Sequence, residues 1–249
     1  MPHDLPSIEI LGVRIAKASR SEALRAVAEL GEHDAPALIA YANAHTLNLA
    51  TADPAYRALL EEAALVLNDG SGVQLAARIT GDRFPVNLNG SDLNPAILSV
   101  AAGRGWSAYF LGARPGTAAR AAARLMDRIG GLEVVGTRDG FFDRAQDPEV
   151  AAEIRASGAD IVMVAMGNPL QERWLAANLA ASGARVGVGV GAFFDFEAGE
   201  VARAPAVMNK LGIEWVWRLA QEPARLWRRY VVGNPLFLLR VLRSRLRKR

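Results

Sequence analysis

Short apolar runs recur along the chain and stop abruptly at polar residues. They are "ALIAYAN" (37–43), "ALVLND" (64–69), "SAYFLGA" (107–113), "LEVVGT" (132–137), "DIVMVAMG" (160–167) and "ARVGVGV" (184–190). Each is apolar at successive positions rather than at alternate ones, as a strand covered on both faces must be. Alanine-rich stretches with helical character separate most of them, at 92–103, 116–130, 147–157 and 169–181. Strands alternating with helices of this length predict βα units and a mostly parallel sheet with helices on both faces. The opening segment "IEILGVRIAKAS" has Gly12 between two β-like pieces and predicts a hairpin at one edge of the sheet.

Composition narrows the class. The 249 residues are 51% hydrophobic, enough for a large packed core and too apolar for a disordered chain. There is no cysteine, so disulfides and thiolate metal sites are excluded. No secretory leader is read at the N-terminus, and no run reaches the roughly 18–20 apolar residues of a membrane span.

Charge divides the chain. From Arg203 onward there are twelve Lys and Arg against two acids, whereas residues 1–202 hold 17 basic and 24 acidic side chains. An acidic body with a tail of net charge +10 suits an anionic partner, such as a membrane surface or a phosphate-bearing substrate. On a helical wheel begun at Trp215, the apolar Leu219, Leu226 and Tyr230 fall on one side. Arg218, Arg225, Arg228 and Arg229 fall on the other, which is the pattern of an interfacial segment. Pro223 predicts a break into two pieces. The boundary is set near residue 200, giving an α/β core (1–200) and a basic helical appendage (201–249).

In open α/β sheets, ligands sit beyond the carboxyl ends of the strands. Those positions hold Asn43, then Asp69 and Gly70, then Gly112, Arg114 and Pro115, then Gly140, and then Gly167, Asn168, Gln171 and Glu172. Asp69 is the leading catalytic candidate, a carboxylate at a strand end flanked by glycines that leave room for a substrate hydroxyl. The plain alternative is an Asp-Gly turn. "LGARPGTAAR" can hold a phosphate at a helix N-terminus but lacks the Lys-Ser/Thr pair of a P-loop. "GVGVGAFF" has Phe194 where a dinucleotide fingerprint needs glycine, which disfavours a dehydrogenase. In "GNPLQERW", Pro169 opens a helix, and Gln171 and Glu172 are expected to face outward, toward a ribose or a base edge. His3, His33 and His45 lack metal-ligand spacing. Asp195 and Glu197 are read as turn or substrate contacts rather than as a metal pair.

Taken together, "NAHTLNLA", "LNDGSGV", "NGSDL", "YFLGARPG", "GTRDGFF", "GNPLQERW" and "RAPAVMNKLGIEWVWRLAQEPARLWRRY" resemble the WecG/TagA/CpsF family of bacterial glycosyltransferases. The resemblance covers roughly residues 40–230. It implies a Rossmann-like core and a C-terminal membrane-targeting appendage. It also implies inverting, metal-independent transfer, with no cofactor, from a UDP-sugar to a polyprenyl-diphosphate-linked sugar at the inner face of the plasma membrane. By this resemblance Asp69 is the base and Asn43 its active-site neighbour. Gly70, Gly90, Ser91, Asp92, Gly112, Pro115, Gly140, Gly167, Asn168, Gln171 and Glu172 form the nucleotide-sugar site. Arg203, Arg218, Arg225 and Arg228 meet the acceptor diphosphate or the membrane. The pattern departs at Asn87, where many members carry an arginine, so the donor remains open among N-acetylmannosamine, glucose, galactose and related sugars. A homo-oligomer is left open. A nucleotide-binding dehydrogenase and a nucleic-acid-binding module are the alternatives, the latter disfavoured by the acidic body.

Overall fold

The computed structural model describes residues 5–205, 208 and 212–247. Ala206, Val207, Asn209, Lys210 and Leu211 of the tail motif, with Lys248 and Arg249 of the basic terminus, lie outside the described residues, as does His3. The six apolar runs form six strands: β3 (Ala37–Ala42), β4 (Leu65–Asn68), β5 (Ser107–Gly112), β6 (Glu133–Arg138), β7 (Ile161–Ala165) and β8 (Val186–Gly189). They make one sheet in the order β4-β3-β8-β7-β5-β6, and every pairing is parallel.

The opening segment is a hairpin of β1 (Ser7–Ile10) and β2 (Val13–Ala16), turning through Leu11 and Gly12 at positive φ. It does not extend an edge of the large sheet as expected but forms a separate two-stranded sheet. Ile8, Ile10, Val13 and Ile15 are all buried, in a cluster with Val66 of β4 and Tyr56. Burying these side chains against a face of the sheet removes more apolar surface from water than edge pairing would.

Alternate residues of each central strand serve opposite faces. Ile39 and Tyr41 point into one core, with Phe110 and Met163; Ala40 and Ala42 point into the other. The first core is covered by α1 (Arg20–Glu32), α5 (Gly90–Gly103), α6 (Thr117–Arg128) and α9 (Phe193–Glu197). The opposite face is covered by α2 (Ala44–Ala52), α3 (Pro54–Glu62), α4 (Ser71–Thr80), α7 (Asp147–Ser157) and α8 (Leu170–Ser182). The chain is therefore a three-layer α/β fold, with its strand ends gathered on one rim.

The basic tail is helical and broken where expected. Glu214–Gln221 is followed by Pro223–Trp227, which starts at the proline. A π-helical turn, Arg228–Val232, then leads into the last helix, Gly233–Arg247. That helix returns to the body. Phe237 and Val241, one turn apart, are buried in the same cluster as Leu47, Val73 and Phe84. Asn48 Nδ2 donates to the Gly233 carbonyl (2.8 Å), and Arg240 Nη1 donates to Asn48 Oδ1 (2.7 Å). The residues after 200 thus share a core with those before it. Among the described residues no helix is long and apolar enough to cross a membrane.

Candidate active site

The carboxyl ends of β3, β4, β7 and β8 open into a cavity of about 1980 Å³, walled on the far side by the tail. Asn43 and Asp69 are among the residues that line it. Parallel register pairs Ala42 with Asn68, so the next residue on each strand emerges beside the other. Asn43 Nδ2 donates to Asp69 Oδ2 (3.2 Å). The same carboxamide caps α2, its Oδ1 accepting from the backbone N–H groups of His45 (3.0 Å) and Thr46 (3.1 Å). Asp69 N–H donates to the Ala42 carbonyl (2.9 Å). Gly70 has φ +88°, a conformation that a side chain would strain, and its N–H donates to Asn87 Oδ1 (2.9 Å). The residue that departs from the family pattern therefore braces the loop carrying Asp69.

The electrostatics favour a base. Burial raises the Asp69 carboxyl above its ordinary value; the Asn43 hydrogen bond opposes this, as do Arg229 and then Arg218. Burial also raises Glu214, with help from the Asp69 charge. His45 is pushed down to about 4 by burial and by Arg229, so it is neutral at physiological pH. Arg218 Nε and Arg229 Nε are buried and have no hydrogen-bond partner among the described residues. Both residues line the cavity, and among the described residues neither pairs with Asp69, although Arg218 Nη2 lies 3.9 Å from Glu222 Oε2.

Most of the other sequence-predicted residues line the cavity: Gly90 and Ser91 at the start of α5, Gly140 after β6, and Gly167, Asn168 and Gln171 after β7. Arg225 and Arg228 line it too, although both are largely exposed and Arg225 pairs with Glu222 (2.6 Å). Five do not reach it. Arg203 and Asp92 form an exposed ion pair with each other. Pro115 is exposed in the turn before α6. Gly112 lies against β7, where a Cβ would stand 2.5 Å from the Ala165 carbonyl oxygen, so its role is close strand packing. Glu172, expected to face outward with Gln171, is fully buried, and Gln171 is 2% exposed. Their position in the first turn of α8 gave no sign of this. Their partners lie on α3 and on the loop after β8, far away in sequence.

The sequence places Arg229 on the basic face of the tail and gives His45 no metal-ligand spacing, but it assigns neither to the site, and both line the cavity. Both Arg228 and Arg229 lie in the π-helical turn and line the cavity, Arg228 exposed and Arg229 half-buried. Asp195 and Glu197 diverge: Asp195 lines the cavity, whereas Glu197 turns away to pair with Arg128 (2.8 Å). Among the described residues no three His, Cys, Asp or Glu side chains gather as a metal site.

Residues 8–249 match the family described as the glycosyl transferase WecG/TagA/CpsF family. The chain belongs to this family. It is a glycosyltransferase, as the motifs around Asp69 and in the tail predict. A curated relative from Bacillus spizizenii (strain ATCC 23059 / NRRL B-14472 / W23) is 34% identical over 191 residues, which cover 77% of this chain and 73% of the relative. That relative is an N-acetylglucosaminyldiphosphoundecaprenol N-acetyl-beta-D-mannosaminyltransferase. Within the WecG/TagA/CpsF frame, the cavity at the strand ends is the candidate active site.

Proposed function

We propose that this glycosyltransferase moves a sugar, N-acetylmannosamine first among the candidates, from a UDP-sugar to an N-acetylglucosamine-type sugar on a polyprenyl diphosphate. The acceptor follows the relative's name. The single observation that carries the chemistry is the carboxylate of Asp69 in a cavity that Arg218 and Arg229 also line, near enough for their charges to lower its pKa. Asp69 takes the proton of the acceptor hydroxyl. The freed oxygen attacks the anomeric carbon, and the bond from that carbon to the diphosphate oxygen breaks. The electron pair leaves with UDP, and the arginines stabilise the charge that develops on it. One base and one displacement invert the anomeric carbon. A β product, as in the relative's name, is what an α-linked donor would then yield.

The arginines supply the positive charge that a divalent ion provides in other sugar transferases, so the reaction is proposed to need no metal and no cofactor. The tail is proposed to rest on the inner face of the plasma membrane. Trp227, Val231, Val232, Leu239 and Leu242 are exposed apolar side chains among arginines, which suits a peripheral segment that dips into the interface. Each basic residue near an anionic bilayer contributes about 1 kcal/mol. The test is transfer from UDP-N-acetylmannosamine to a short-chain lipid-diphosphate N-acetylglucosamine in EDTA, with the product's anomeric configuration read by NMR. A β-linked product is expected. Transfer that requires manganese, or an α-linked product, would overturn the mechanism.

A further inference from the structure

Glu172 is a buried carboxylate that does not line the cavity, yet it is hydrogen-bonded to Asn168 and Gln171, which do. Every group bonded to it is a donor pointing inward. Asn168 Nδ2 (2.6 Å) and Gln171 Nε2 (2.7 Å) donate to Oε1, and the hydroxyl of Tyr56, from α3, donates to Oε2 (3.1 Å). None of these partners is a cation. Burial raises the carboxyl, whereas three converging donors favour its ionised form.

Glu172 Oε1 accepts from both carboxamides, and this fixes which way the Gln171 carboxamide points. With Nε2 turned to Glu172, Oε1 faces the opposite way. There it accepts from the backbone N–H groups of Gly167 (3.1 Å) and Gly191 (3.0 Å). Gly167 belongs to the loop after β7 and Gly191 to the loop after β8. These strands are neighbours, and both loops line the cavity. The last residue of β8 makes room for the knot. A Cβ on Gly189 would stand 2.9 Å from Gln171 Nε2 and 3.1 Å from Glu172 Oε1.

We infer that Glu172 is a positioning residue: through Gln171 and Asn168 it locks the two central strand-end loops in the geometry that the nucleotide-sugar meets. It acts without touching the ligand. The inference rests on the proposed donor site for its consequence in catalysis, but the lock itself belongs to the ligand-free chain.

The experiment compares the wild type with Glu172→Gln and Tyr56→Phe by two readouts. The first is backbone amide hydrogen exchange, by NMR, without ligand. A glutamine presents an NH2 group where one oxygen accepted, so either the Asn168 and Gln171 donors lose their acceptor or the Tyr56 hydroxyl must reverse and accept. In Glu172→Gln, exchange at Gly167 and Gly191 is expected to quicken about tenfold or more, while Met163 and Val188 in the sheet keep their rates. The second readout is steady-state kinetics, where the donor KM is expected to rise about tenfold, with a smaller loss in kcat. Tyr56→Phe should act in the same direction but less strongly. If the wild type binds no UDP-sugar but the exchange pattern appears, the nucleotide reading falls and the lock stands. Unchanged exchange at both glycines in Glu172→Gln would overturn the inference. So would uniform quickening across the sheet with an unchanged donor KM, which would make Glu172 a residue of the fold alone.

Discussion

Asn43 and Asp69, the first residues after two adjacent parallel strands, are joined by a 3.2 Å hydrogen bond that the strand register dictates. The carboxamide has two tasks, capping α2 with its oxygen and steadying the Asp69 carboxylate with its nitrogen. Asn43→Ala removes both. Loss of the cap should lower stability by about 1 kcal/mol in urea denaturation. Loss of the hydrogen bond removes the largest influence that lowers the Asp69 pKa. The acid limb of kcat/KM should therefore move to higher pH. An unmoved acid limb would mean that Asn43 serves only the helix.

Asp69 should weaken the fold at the pH where it works. Its folded-state pKa lies above the ordinary 3.8 because the group is buried. The folded chain then holds this proton more tightly than the unfolded chain. The associated stability is full below the unfolded value and is lost as pH rises through the folded value. Asp69→Asn should accordingly melt at a higher temperature than the wild type at pH 7. The difference should close as the pH falls below 3.8. A variant less stable than the wild type at neutral pH would show that the ionised carboxylate is well solvated or paired.

Phe237 tests whether the tail belongs to the body. Its ring is fully buried among side chains of the hairpin, α2 and α4. Phe237→Ala should cost about 3–5 kcal/mol of global stability, read from urea unfolding. A loss under about 1 kcal/mol would mean that the last helix is not docked in solution.

The exposed face of the same helix should act on lipid instead. Leu239 is 52% exposed and Leu242 46%. Replacing both with aspartate should reduce sedimentation with anionic vesicles severalfold, since each change removes apolar area and adds a charge that the headgroups repel. The melting temperature should barely change, because neither side chain is in the core. Equal vesicle binding would remove this face from the account.

The sheet was legible because a doubly covered strand has no polar face; the runs of β3, β4, β5, β7 and β8 carry that mark, whereas β6, at the edge, exposes Glu133 and Thr137. Asp69 and Asn43 were legible because each is the polar residue that ends such a run. Glu172 was not legible. A glutamate three residues into a helix looks exposed, and only Tyr56, 116 positions earlier, shows that it is enclosed. Arg229 was legible as a basic-face residue but not as part of the site, for a different reason. A wheel drawn at 100° per residue cannot follow the chain through a proline break and a π-helical turn. The hairpin was recognised, but its placement was not, because burial on a sheet face and pairing at a sheet edge require the same alternating pattern.

The most direct test of the account is the single-turnover rate of sugar transfer from UDP-N-acetylmannosamine to a lipid-diphosphate N-acetylglucosamine, in EDTA, for the wild type and Asp69→Asn. The general-base role predicts that the wild type transfers without metal. It also predicts that the variant binds UDP with unchanged affinity but transfers about two to four orders of magnitude more slowly. A variant that transfers within a few-fold of the wild type would contradict the account, and Asp69 would be a turn residue at the end of β4.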